Sequence, residues 1–322
     1  AMTENLVHSS TSGISAEFGY YPATCDIESE QFSIQTLPNH RQTVSSIVED
    51  VNVVDGWLYP RPQKRLDFVS RTVRSMPYSS RVFGLPKTHA LTLHRSKNQD
   101  DLDFVVWCLS FFIGMRLTTT EVGFLDATPV KPHKLVDFVL HRCTLNEAVH
   151  LALNFLEQEH DAPRATKRVA AVIHALFLAQ YPQSLPFERF QYLYMALDGC
   201  FKLLKVREEA NVSVSHAGRI QWMCKKFNIP LPEWAESQAG PSPLSTARND
   251  AIHEALFFDE PLGFSIYGGN KPDGNPTNVT LQMRALVCRL LVAILGRADT
   301  IYVKSPVNTR MIHSLELSDR VT

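Results

Sequence analysis

From residue 163 to residue 296 apolar side chains return every three or four positions, and no other feature of this chain narrows its fold as much. That spacing lines one side of an α-helix, the side that packs against a core. Val169, Val172, Ile173, Leu176 and Phe177 predict a helix over 164–180, and Phe190, Leu193, Tyr194, Leu197, Phe201 and Leu204 a second over 187–206. Pro182 and Pro186 separate the two. Ser213 or Ser215 starts a third helix through Ile220, Met223 and Cys224, and Ser245 caps a fourth over 246–258. After a loop over 267–276, Thr277 opens a fifth, which carries Val279, Met283, Leu286, Leu290 and Ile294 and stops at Gly296.

The first 160 residues have a different texture. Phe32-Ser33-Ile34-Gln35-Thr36-Leu37 alternates apolar and polar, the period of a half-buried strand. Asp55-Gly56 sits between two short apolar runs, a hairpin signal. Further strands are expected at 90–93 and 118–128. Pro60, Pro62, Pro77 and Pro86 argue against long helices there. Two helices interrupt the strands. The one over 102–116, capped by Asn98 or Asp100, is apolar nearly all round and therefore buried. The one over 145–158 begins with Thr144 and Glu147 in capping-box spacing. The expected architecture is an α+β N-terminal domain over 16–160, followed by an all-α helical bundle over 161–304. A disordered tail at 1–15 and a flexible tail at 305–322 flank them.

Charge is uneven although the net charge is only -1. Between Arg61 and Lys97 nine basic residues face a single acid, Asp67, so the remainder is acidic. Arg61, Lys64, Arg65, Arg71 and Arg74, with Trp57, Tyr59, Tyr78 and Phe83 interleaved, are the candidate RNA-binding residues. Core strand aromatics and a solvated basic face are the plainer account of the same pattern. The six cysteines form no C-x-x-C pair and mostly lie in apolar runs, which fits neither a disulfide framework nor a zinc site. No secretory leader or spanning segment is expected, which points to a cytoplasmic protein that does not engage a membrane. Gly268-Gly269 lacks the pattern of a phosphate loop, and the scattered histidines lack metal spacing, so neither cofactor nor metal is expected.

The segment with chemistry is Arg248-Asn249-Asp250-Ala251-Ile252-His253. On a helix Asn249 and His253 share a face, while Arg248 reaches round to the same space. Imidazole exchanges protons near neutrality, and guanidinium grips phosphate oxygens. Together they suit attack of a ribose 2′-hydroxyl on the adjacent phosphorus. Asp198 is placed to pair with Arg248 or to orient His253; the plainer account is an acid that meets solvent at the edge of the domain.

This segment resembles the R-x4-6-H motif of the HEPN superfamily, its Apea-like branch in particular, with Asn249 as the polar residue after the arginine. The helix ending at Gly296 is similar to the family's closing helix, and the resemblance covers about residues 163–304. It implies a metal-independent endoribonuclease of toxin or antiphage systems, catalytic at Arg248 and His253 with Asn249 assisting. It also implies a homodimer through the helical domain, RNA as substrate and room for a protein regulator. Other members of the superfamily are non-catalytic modules for dimerisation and binding, and that reading stands as the alternative.

Overall fold

The computed structural model describes residues 13–79, 82–83, 85–120, 123–124, 127–141, 145–208, 213–236, 240–253, 279–308 and 312–318; at 78–79, 82–83, 123–124, 243 and 250–253 it describes the backbone alone. The chain opens with β1 (Ile14–Phe18), β2 (Ile27–Glu28), β3 (Phe32–Thr36) and α1 (His40–Val48). A hairpin of β4 (Val53–Val54) and β5 (Trp57–Leu58) turns at Asp55 and Gly56, whose φ angles of 51° and 80° are those a tight hairpin turn demands. A second hairpin follows, β6 (Pro62–Asp67) and β7 (Thr72–Ser79), then β8 (Val82–Phe83) and β9 (His89–Leu93). Next come α2 (Gln99–Ile113), β10 (Gly123–Phe124), β11 (Thr128–Pro129), β12 (Phe138–Leu140) and α3 (Leu145–Gln158). The second half carries α4 (Pro163–Leu178), α5 (Pro186–Arg207), α6 (Arg219–Phe227), α7 (Pro243–His253), α8 (Val279–Val292) and β13 (His313–Leu315).

β9 is the centre strand of an antiparallel sheet in the order β1-β9-β3-β2. Its alternation is plain: His89, Leu91 and Leu93 are buried, whereas Ala90 and Thr92 are partly open. α2 lies against this sheet. Asn98 caps it by accepting from the Asp100 amide, and Gly114 ends it at a φ of 70°.

The expected fold class, an α+β domain followed by an all-α helical bundle, is corrected by the packing: strands and helices share one core. α2 is buried from Leu102 to Ile113 on nearly every side. One sheet cannot cover a helix that is apolar all round, so α2 packs on β1 and β9 with one side and on α3 and α4 with others. The resulting core is continuous from Phe18 to Leu317. The C-terminal stretch joins it too: β13 pairs in parallel with β12, and Leu315 and Leu317 are buried. Within the expected tails, residues 1–12, 309–311 and 319–322 lie outside the described residues; Ile14 and Ser15 belong to β1, and 313–315 to β13. Of the strand expected over 118–128, the described residues show β10, the start of β11 and a bridge at Thr118; residues 121–122 and 125–126, like the loop over 267–276, lie outside the described residues.

Arg289 ties the middle of the chain at Asp137 to the C-terminal stretch at Ser305 and Pro306. Its guanidinium is fully buried, pairs with Asp137 at 2.9 Å and donates to the carbonyls of Ala285, Ser305 and Pro306. Tyr302 stacks beneath it at 4.7 Å and donates its hydroxyl to the same Asp137. Among the described residues one helical stretch, Val279–Arg297, is long and apolar enough to cross a bilayer, and 72% of it is buried inside the fold.

Candidate functional site

α7 presents the motif. Its cap is Ser242 rather than Ser245: Ser242 Oγ accepts from the Ser245 amide (3.2 Å) and the Ser242 carbonyl from the Thr246 amide (3.0 Å). Proline at the head of the helix moves the start back from the expected 246 to 243. Leu244 and Ala247 are buried and fasten the helix to the core. Arg248 thereby emerges at the boundary, partly buried, with exposed Asn249 beside it.

The Arg248 guanidinium lies over the Tyr194 ring of α5, 5.8 Å from its centroid, and its Nη1 donates to Asn249 Oδ1 at 3.0 Å. Asn249 therefore orients the arginine directly. The His253 backbone closes the described part of α7; its side chain lies outside the described residues.

Next to this pair is a shallow recess lined by Tyr194, Asp198, His216, Arg219, Ser242 and Ser245, among others. Three elements build it. α5 supplies Tyr194 and Asp198 one turn apart. A single 3-10 turn over His216–Gly218, capped by Ser215, supplies His216, and α6 begins with Arg219. Asp198 pairs with Arg219 at 2.8 Å; its expected contact with His253 lies outside the described residues, because the His253 side chain is not among them. The reason for the pairing with Arg219 is local: α6 starts against α5, and its arginine also covers the Phe201 ring at 4.7 Å.

Electrostatics couple these groups. Burial holds the Tyr194 hydroxyl above its ordinary range; Asp198 adds to that rise, whereas Arg248 and Arg219 oppose it. His216 is held below the usual imidazole value by burial, then by Arg219 and Arg248, against Asp198. It is therefore a neutral imidazole at physiological pH, able to accept a proton. In the sequence His216 is one of the scattered histidines and Arg219 does not stand out. The signal available was their spacing of three on a helix start that follows a capping serine.

The basic residues of the N-terminal half lie elsewhere. Lys64, Arg65, Arg71 and Arg74 are exposed on the β6–β7 hairpin; Arg61 precedes it and pairs with Asp50 at 2.9 Å. Trp57 is partly buried against the core, and the Tyr78 and Phe83 side chains lie outside the described residues. No group of three metal-ligating side chains occurs among the described residues. Cys108, Cys200, Cys224 and Cys288 are buried with thiols raised far from reactivity by desolvation, as core hydrophobes are. His174 is packed between Trp107 and Arg116. Comparison with protein-family models, with curated proteins and with solved structures found no match to the chain.

Proposed function

We propose that this chain is a metal-independent endoribonuclease of the HEPN type, acting in the cytoplasm as a toxin or antiphage effector. The observation that carries the reading is the setting of Arg248: a helix-borne guanidinium over an aromatic ring, aimed by Asn249, beside a recess that adds Arg219 and a neutral His216. Such a place suits a phosphodiester, because planar guanidinium matches two phosphate oxygens and gains strength where water is scarce.

In the proposed reaction His253 takes the proton of a ribose 2′-hydroxyl. The 2′-oxygen then bonds to the adjacent phosphorus, and the bond from phosphorus to the 5′-oxygen breaks. The leaving oxygen keeps that electron pair and receives a proton from an imidazolium. Arg248 stabilises the negative charge gathering on the phosphoryl oxygens. The products carry a 2′,3′-cyclic phosphate and a 5′-hydroxyl. A second copy, docked through the helical half, would set two such motifs around one cleft.

The alternative is a non-catalytic dimerisation or ligand-binding module. It is favoured by the Asp198–Arg219 ion pair, which already matches one cation of the recess. End-group analysis of RNA incubated with the protein in EDTA separates the two. The nuclease reading predicts cyclic phosphate ends that vanish in His253→Ala. Intact RNA, or cleavage indifferent to that substitution, removes it.

A further inference from the structure

The β6–β7 hairpin is an arm and not part of a layer. Its strands pair with each other and, among the described residues, pack extensively on no other element. From Pro62 to Pro77 every residue is exposed except Asp67 and Met76, which are half-buried, so both faces of the ribbon meet solvent. At the tip Phe68 is 84% exposed and Val69 96%.

The tip is held in shape. Asp67 Oδ1 accepts from the amides of Val69 (2.9 Å) and Ser70 (3.2 Å). Ser70 and Thr72 share a hydroxyl hydrogen bond of 2.7 Å, and Arg71 takes a left-handed φ of 54°. A loop fixed by this many local bonds presents Phe68 at little conformational cost.

The arm's charges are unfavourable as they stand. Arg65 and Arg74 are directly opposite one another in the register, a like-charge pair that weakens a free hairpin. Lys64 and Arg71 add to the same field, and Asp67, 3.7 Å from Arg74, is the only acid on the ribbon. An anion between the opposed arginines would turn repulsion into attraction. A nucleotide meets both demands of the arm within one unit, a phosphate for the cations and a flat base for the ring.

We propose that this arm binds single-stranded RNA, with Phe68 stacked on an unpaired base and Lys64, Arg65, Arg71 and Arg74 on the phosphates; that the nucleic acid is RNA rests on the ribonuclease reading. Phe68 then selects unpaired over duplex RNA, because a base inside a helix offers no free face.

The probe is a fluorescent single-stranded RNA with 2′-O-methyl groups, which blocks cleavage, titrated by anisotropy with the full chain in EDTA. Phe68→Ala is expected to weaken binding roughly 10-fold with an unchanged melting temperature and an unchanged salt dependence. Arg74→Ala is expected to lower the slope of log affinity against log salt by about one. An RNA carrying 5-iodouracil should cross-link to Phe68 in the unsubstituted protein, a readout that needs no variant. Equal affinity of Phe68→Ala and the parent, with no adduct on Phe68, overturns the proposal. So does loss of binding to phosphatidylserine vesicles, or of self-association, in Phe68→Ala while RNA affinity stays the same. Arg248→Ala keeps the two readings apart. If it abolishes cleavage while Phe68→Ala leaves affinity intact, the arm proposal fails alone. If no RNA is cut yet binding needs Phe68, the nuclease reading fails alone.

Discussion

Arg289 and His89 are two buried polar residues with opposite solutions to the same problem. Arg289 is saturated by partners: Asp137 and three carbonyls accept from its guanidinium. Replacing it with Leu leaves the part-buried Asp137 beside Tyr302 without its cation, a loss of about 3 kcal/mol. Urea unfolding measures it directly. His89 instead stays neutral: burial and the nearby His40 push its pKa down to about 4. His174 is lowered to about 4 as well, by burial and then by Arg116. Both folded values lie below the unfolded one, so the unfolded chain binds more protons between them. Stability from these histidines is therefore complete above about pH 6.5, declines as pH falls toward 4 and then levels off. Thermal melts across that range should show the decline, and His174→Phe should make it shallower; a flat profile contradicts the assignment.

At the scale of elements, α2 and its terminal Gly114 set the geometry. A Cβ at Gly114 would stand 2.6 Å from Val136 Cγ2 and 2.9 Å from the His133 Cα, at a φ of 70° that side chains resist. Gly114→Ala is expected to cost about 1–3 kcal/mol, seen as a lowered melting temperature. The existence of most helices was legible because their apolar period is long and regular, as in Val169–Phe177. What α2 packs against was not, because an all-round apolar helix carries no direction. Phe68 was missed for a related reason: an aromatic at a turn and one in a core strand such as Trp57 look alike in sequence, and only exposure separates them. At the site, Arg248 and Asn249 were legible because they are neighbours in the chain. His216 and Arg219 were not, since α5 and α6 must pack before they meet Tyr194 and Asp198.

At the scale of the whole molecule, one core and one C-terminal strand tie both halves together. Truncation after Lys304 would remove β13 and the Ser305 and Pro306 acceptors of Arg289. The expected result is a lower melting temperature for the entire chain in a single calorimetric transition, not the loss of a tail with the rest unchanged. This unity matters for the proposed chemistry, because α7 borrows its rigidity from that core through Leu244 and Ala247. The central claim is that Arg248 stabilises charge on a phosphodiester. The most direct test is the single-turnover cleavage rate of an RNA in EDTA for the parent protein and for Arg248→Ala, with melting temperatures matched. The account predicts a fall of roughly 100-fold or more, the scale of losing one preorganised donor to a transition-state oxyanion, with RNA affinity largely retained through the arm. Equal rates in the two proteins, or no cleavage by either, would contradict it.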